Sequence, residues 1–559
     1  MRTLLSKNSY IIYIRLKKMA LVIFMAGMML TFCYNEMNDQ DRTDDKDGPV
    51  GYISLILSNS SVRGSETKAL DSLHYGTADE NKVKSVLIVL YNGDDPASSE
   101  VKYQFALTDI GTPVSPGTDI HSVIQGTTTT TYRTKAKAVV KDNYKLAVFL
   151  NPPATLKELT AEGKRLGSMT AAAEVTVDQL TMGEKIRDYF LMSNFAGLVN
   201  VTKDDIYDTE FEAEAAPVKL DVERAVAKVT LSVADSLKTA SATLGATIGE
   251  IKWDVDVVNK KTFWMRNAAP MLDKASISFG AVTPTIPEVA ITTNRIYMYA
   301  VDPNWDGFSH SRNPLLIAPL TDEFTYKSGT ATLSLLPSTS DEPVNAYVTE
   351  NTMAASEQWE DMTTYVLISV VIIPKTTFFK ETLSPGDQYF LYRNMAFTFT
   401  DIQQIYAANS NPETVISSAG KTWKVLTEEA ANASILLLPA ILESMKGSGD
   451  FNGYTAVPTT SKDVVKSKGT VNFFAAGAPN YYYVPIRHFR DAFQGEPMAY
   501  GRYGVVRNSW YNLFLNAVKN YGTAEIPKER PDPDDKDESW LSVEFTILPW
   551  TERGQGIQL

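Results

Sequence analysis

The sequence holds one cysteine, Cys33, and only four histidines in 559 residues. A single cysteine excludes an intrachain disulfide framework and a cysteine-based structural zinc site. The histidines, His74, His121, His310 and His488, are nowhere paired at metal-ligand spacing, and no H-E-x-x-H occurs. Net positive charge is missing as well. A formal charge of −13 leaves nothing to neutralise a phosphate backbone, which argues against nucleic acid as a partner and disfavours an electrostatic hold on anionic lipid. A phosphate cradle is also lacking. The G-K-T within residues 419–423 has Val415 where a Walker A loop needs its first glycine, so it reads as a surface turn. The D-K-D-G at 45–48 fails as an EF-hand loop, because Thr43 takes the first ligand position and Ser54 the place of the bidentate glutamate. Paired carboxylates for glycoside hydrolysis have no sequence spacing of their own, and nothing singles out a pair among 66 acidic residues. No motif calls for a catalytic residue, a metal or a cofactor.

What is present begins at the N-terminus. Arg2, Lys7, Arg15, Lys17 and Lys18 precede an apolar run from Met19 to Phe32. A basic region and a short apolar stretch read as an export signal over residues 1–32, too short for a comfortable membrane span. The run closes on L-T-F-C, Leu30 to Cys33, which resembles a lipobox, with Phe32 where the pattern usually has Gly, Ala or Ser. In bacterial lipoproteins that cysteine carries the lipid, so Cys33 is the expected lipidation site. Residues 33–50 follow, with Glu36, Asp39, Asp41, Asp44, Asp45 and Asp47. Such a block buries too little apolar surface to offset chain entropy and serves as a solvated tether.

Beyond the tether, strand signals dominate. In G-Y-I-S-L-I-L-S-N-S (51–60), Ile53, Leu55 and Leu57 alternate with Ser54, Ile56 and Ser58. Residues 82–93 and 144–151 are β-rich runs closed by turn residues. Between Pro152 and Tyr189 the composition shifts to Ala, Leu, Lys and Glu, which predicts one or two short helices. A second strand-rich region opens at Val218. Many short strands spaced by Gly, Pro, Asn and Thr predict an all-β chain of two antiparallel sandwich domains, transthyretin-like, over 51–217 and 218–526. Residues 527–539 are rich in Pro, Asp, Glu and Lys and read as an extended acidic linker. The aromatic run at 480–485, N-Y-Y-Y-V-P, is either a carbohydrate platform or a strand with one face in the core; the strand is the simpler reading.

The terminus is unusual. Residues 540–559 open with W-L-S-V-E-F-T-I-L-P-W, where Leu541, Val543, Phe545 and Ile547 alternate with polar residues and Trp550 closes the run. Chain ends are generally frayed and polar, whereas this segment is patterned to be buried.

Residues 505–522 (V-V-R-N-S-W-Y-N-L-F-L-N-A-V-K-N-Y-G), the acidic linker and residues 540–550 together resemble the end of the Mfa-type fimbrillins, stalk subunits of the type V pili of the Bacteroidales. V-E-R-A-V-A-K-V-T-L at 222–231 resembles the start of that family's second domain, and residues 365–375 match more weakly. The resemblance implies export as a lipoprotein to the outer membrane. An arginine-specific protease then removes the first strand, and the groove left behind is filled by an extended strand from another copy. Here that implies cleavage between Arg63 and Gly64, removal of strand 51–63, and a donor strand carrying Leu541, Val543, Phe545, Ile547 and Trp550. The implied partners are other copies of the chain, accessory anchor and tip subunits, the protease, and a host or bacterial surface ligand that the sequence does not identify. A fimbrial stalk subunit serving adhesion or biofilm is therefore the expected function. The alternative is a surface lipoprotein or pilus-tip adhesin that binds glycan or a host protein.

Overall fold

The computed structural model describes residues 48–59, most of 77–267, 301–305, most of 320–398, 416–418, 421–423, 472–488, 502–526, 534, 542–547 and 551–558. The expected signal, Cys33 and the Arg63–Gly64 bond lie outside the described residues.

The first unit contains β1 (Val50–Ile53), β2 (Leu55–Asn59), β3 (Val86–Tyr91), β4 (Val101–Leu107), β5 (Ile120–Gln125), β6 (Thr129–Thr134), β7 (Lys137–Val140), β8 (Tyr144–Leu150), β9 (Met192–Asn194) and β10 (Val218–Arg224). Its ten-stranded sheet runs β4-β3-β8-β9-β10-β2-β6-β5, with the short strands Ile110–Gly111 beyond β5 and Val199–Val201 beside β8. β1 pairs separately with β7. The run V-L-I-V-L-Y of β3 is buried at every position, so it needs cover on both faces. Val86, Ile88 and Leu90 enter one core and Leu87, Val89 and Tyr91 another. Ile53, Leu55, Leu57, Val139, Leu220 and Val222 share the first core, so the sheet curls around it.

The predicted helices are α1 (Ala154–Leu159) and α2 (Leu166–Thr170). They cover the outer face of β3 and β8 through Leu156, Leu166 and Met169. A third helix, α3 (Glu210–Ala215), starts at Thr209, whose hydroxyl accepts the Glu212 N–H at 3.3 Å.

The second unit contains β11 (Val226–Val233), β12 (Ala246–Asp256), β13 (Asn345–Thr349), β14 (Tyr365–Pro374), β15 (Pro479–Pro485), β16 (Ser509–Ala517), β17 (Ser542–Ile547) and β18 (Thr551–Gln558). One sheet is ordered β13-β11-β16-β18-β17 and the other β12-β14-β15. Val229, Leu231 and Leu513 of the first pack with Trp253, Ile368 and Val484 of the second, which makes a sandwich with a shared core.

Three features differ from the sequence-based expectation. The chain passes between units at the fully buried Ala225, not at 217, because β10 pairs with β2 and β9 of the first sheet. The sheets are not purely antiparallel: β2–β10, β11–β16 and β16–β18 are parallel pairs. Each unites segments joined by long connections or a crossover, which is what parallel pairing requires. The units are not independent sandwiches either. The outer core of the first unit includes Ala225, Val226, Trp264, Met265 and Tyr347.

Candidate functional site

The first strand is inserted into the body of its sheet, not laid on an edge. β2 pairs in parallel with β10, Leu55 opposite Val218 through Asn59 opposite Val222. On its other side it pairs antiparallel with β6, Ile56 opposite Arg133 through Ser58 opposite Thr131. The break between β1 and β2 falls at Ser54. Its hydroxyl donates to the Thr134 carbonyl at 2.7 Å, and the Thr134 hydroxyl accepts the Leu55 N–H at 2.9 Å. The alternation expected from the sequence is present: Ile53, Leu55 and Leu57 are 3%, 1% and 0% exposed. At β1 the backbones approach closely. A Cβ added at Gly51 would sit 2.7 Å from Ile206 Cγ2 and 2.8 Å from the Tyr207 carbonyl oxygen. Tyr52 and Tyr207 exchange both backbone hydrogen bonds, at 2.7 and 3.0 Å.

Without this strand, β10 and β6 would face each other across an open slot. The slot's apolar floor is what Ile53, Leu55 and Leu57 now cover. It accepts extended backbone on both sides and aliphatic side chains at every second position, the chemistry of strand addition.

The C-terminal segment folds back on the second unit. β18 pairs in parallel with β16, Ser509 opposite Thr551 through Leu515 opposite Ile557. β17 pairs antiparallel with β18, Val543 opposite Ile557 and Ile547 opposite Arg553. The apolar strand that carries Val543, Phe545 and Ile547 therefore forms the outer edge of this sheet, and the glycine-containing T-E-R-G-Q-G-I-Q joins it to β16. Leu541 and Trp550 lie outside the described residues. Asp534 is the described residue of the acidic linker. The Thr363 hydroxyl donates to Asp534 Oδ2 at 2.5 Å, the Tyr365 hydroxyl donates to Oδ1, and the Asp534 N–H donates to the Gln358 carbonyl at 3.0 Å. Burial, with the adjacent Asp534 carboxylate, pushes the Tyr365 phenol well up.

A third group, buried where the two units meet, was not legible in the sequence. Glu80 Oε1 accepts from Lys228 Nζ at 2.8 Å and from the Tyr347 hydroxyl at 2.6 Å, while Oε2 accepts the Thr77 N–H at 2.6 Å. Burial pushes the Glu80 carboxyl up, but Lys228, Tyr347 and Thr77 outweigh it and hold it below its ordinary value. Glu223 takes a two-pronged bond from Arg266, 2.6 Å at each oxygen. Arg507 Nε donates to Glu350 at 2.8 Å. Lys228 Nζ also stands 4.3 Å from the centre of the Trp510 ring.

The remaining sequence candidates fall into ordinary packing. Lys421 and Thr422 of the G-K-T lie in a short strand, Lys421–Trp423, paired with Ile416–Ser418. In β15, Tyr481 is buried, the Tyr482 hydroxyl donates to the Asn520 carbonyl at 2.8 Å and the Tyr483 hydroxyl to Asp256 at 3.0 Å. That uses the aromatic run as a strand against the core. Among the described residues no three His, Cys, Asp or Glu side chains are grouped to hold a metal ion.

Two stretches of the chain match models of known families. Residues 52–242 match the model of the major fimbrial subunit protein FimA, and residues 472–556 match that of the major fimbrial subunit protein type IV, fimbrillin, C-terminal. The first match covers the inserted strand and its curled sheet, and the second covers β16 and the tail hairpin. Toward each of its ends the chain is thus similar to a major fimbrial subunit protein. By these two matches the chain resembles fimbrial subunits, which are structural proteins. No curated protein matches its sequence. Among solved structures it is similar to a fimbrial assembly protein from Parabacteroides distasonis, at 12% identity and a TM-score of 0.28 over 57% of this chain and 81% of that one. It is also similar to the C-terminally truncated tip fimbrial protein Mfa3 from Porphyromonas gingivalis, at 10% identity and a TM-score of 0.26 over 60% and 84%.

Proposed function

We propose that this chain is a fimbrial stalk subunit that polymerises by strand exchange. Cleavage between Arg63 and Gly64 frees the first strand, and the tail of another copy takes its place between β10 and β6. The observation that carries this reading is the placement of β2. It is paired on both sides yet contributed by the N-terminal end of the described residues, so one cut after it opens a complete strand-shaped slot. The tail is the natural occupant. Val543, Phe545 and Ile547 repeat the spacing of Ile53, Leu55 and Leu57, and the hairpin that holds them lies at a sheet edge from which it can leave. Leu541 and Trp550 would extend the donor at its two ends. Docked at home, the tail also covers an edge that would otherwise invite uncontrolled pairing.

In this reading the precursor is carried to the outer membrane as a lipoprotein attached through Cys33. It assembles with anchor and tip subunits after an arginine-specific protease has acted. The test treats purified protein with such a protease and looks for heat-resistant, high-mass ladders on denaturing gels. Wild type should give ladders, while Arg63→Ala and a deletion of residues 540–559 should not. Ladders from Arg63→Ala would refute the cleavage site, and ladders from the deletion would refute the donor.

A further inference from the structure

We infer that the buried ionic cluster between the two units is a brace that keeps the groove wall β10 in position after the first strand has gone, so that Glu223, Arg224 and Glu80 position the slot for an incoming strand. The inference rests on the strand-exchange reading and adds what that reading leaves open, namely why the slot should survive being emptied.

The pairing of β10 poses the difficulty. β2 pairs with it from Val218 to Val222, whereas β9 pairs with it only from Val222 to Arg224. From Val218 to Asp221, β2 is thus the strand neighbour that β10 has among the described residues. One further bond, Phe195 N–H to the Asp221 carbonyl at 2.9 Å, supports that stretch from the other side. When β2 leaves, half of the wall loses its ladder, and a strand released in this way would collapse into the slot or fray.

What remains is its C-terminal end, which is held from the second unit. The Glu223 carboxylate is gripped at both oxygens by Arg266. Arg224 spreads its fork over three acceptors: Nε to the Glu80 carbonyl at 3.1 Å, NH1 to Asn508 Oδ1 at 3.0 Å, and NH2 to Asn81 Oδ1. Asn508 takes a left-handed backbone, φ 57°, which asparagine tolerates better than most residues. Its N–H donates to the Val226 carbonyl at 2.8 Å, just past the crossover. Glu80 completes the cluster by binding Lys228 and Tyr347.

The chemistry of this cluster suits a brace. Buried ion pairs gain little stability over well-packed apolar groups, and their best-attested role is to fix one register among several. The apolar contacts of Ala225, Val226 and Tyr347 already hold the units together. The ionic cluster adds direction, since each donor has one matching acceptor, and β10 leaves the junction along one line whether or not β2 is present. Glu80 also follows the proposed cut in sequence, so cleavage releases what lies before Gly64 and leaves the junction closed.

The test uses the full-length chain as wild type, Arg224→Lys and Glu223→Gln. Lysine keeps the charge but cannot span three acceptors. Hydrogen exchange over residues 218–224 is measured before and after treatment with an arginine-specific protease. Uptake of a labelled peptide with the sequence of residues 50–60 is measured after it, with the peptide in excess. Before the cut the three proteins should exchange alike over 218–224, because β2 still holds the strand. After the cut both variants should exchange at least about tenfold faster there and take up the peptide about tenfold less well than wild type. A purely structural role would instead raise exchange before the cut, and that result overturns the inference. So does equal exchange and uptake after the cut. Wild type that takes up the peptide but forms no ladders would overturn the strand-exchange reading while leaving the brace intact.

Discussion

Excision of the first strand has a cost that can be worked from the structure. Ile53, Leu55 and Leu57 are buried to within 3% of completely. At about 1.5–3 kcal/mol for each such side chain, the three contribute about 5–9 kcal/mol. That is comparable to the whole stability of a typical domain, about 5–15 kcal/mol. Loss of the strand after a cut at Arg63 should therefore lower the stability of the first unit by a comparable amount. For a urea dependence of about 2–3 kcal/mol per M, the unfolding midpoint of the first unit should fall by about 2–4 M once the strand is displaced and washed out. Adding back a peptide of residues 50–60 should restore it. Val543, Phe545 and Ile547 offer a similar set of apolar groups, so an added tail peptide should restore a similar amount. The assay is urea denaturation of the cleaved protein, followed by tryptophan fluorescence, with and without each peptide. A midpoint that stays in place after strand removal would refute the claim that the slot depends on its occupant.

Further outcomes follow from particular contacts. Gly51→Ala should destabilise the first unit by about 1–3 kcal/mol, because its Cβ would press on Ile206 and the Tyr207 carbonyl; differential scanning calorimetry of the uncut protein checks it. Asp534→Ala removes the acceptor of Thr363 and Tyr365 and should speed both hydrogen exchange over 542–558 and ladder formation after cleavage; unchanged exchange would show that the linker contact does not hold the tail. Burial raises the Asp302 carboxyl from 3.8 to about 8. An acid with a raised folded value binds protons that the unfolded chain has released, so its contribution is full below about pH 4 and is lost as pH rises toward 8. Asp302→Asn should flatten that part of the pH profile of thermal unfolding, and a variant with the wild-type slope would contradict the assignment. Glu80 has the opposite sign. Its depressed value gives stability that is present above pH 4.5 and lost as pH falls through the folded value, so acid should loosen the junction less in Glu80→Gln than in wild type.

Much of this architecture was readable in the chain because it follows period-two patterning. β2, β3, β14 and the strand of Val543 to Ile547 all stand where alternating or continuous apolar runs place them. What escaped the sequence depends on contacts between distant segments. Nothing local shows that Val218 to Val222 pairs with the first strand, so the crossover at Ala225 was not legible. The ion pair of Glu80 and Lys228 joins residues 148 apart, and each reads as an ordinary surface charge. β18 carries Gly554 and Gly556, which weaken a strand signal, yet this segment docks the tail on β16. The family models match residues 52–242 and 472–556, which include most of these patterned runs.

The central claim is that one copy's tail occupies another copy's emptied slot. Negative-stain electron microscopy of protein treated with an arginine-specific protease tests it most directly, with the variants Arg63→Ala and a deletion of residues 540–559 beside the wild type. The wild type should give fibres many subunits long, and both variants single particles. Fibres from either variant, or wild type that stays monomeric after complete cleavage at Arg63, would contradict it.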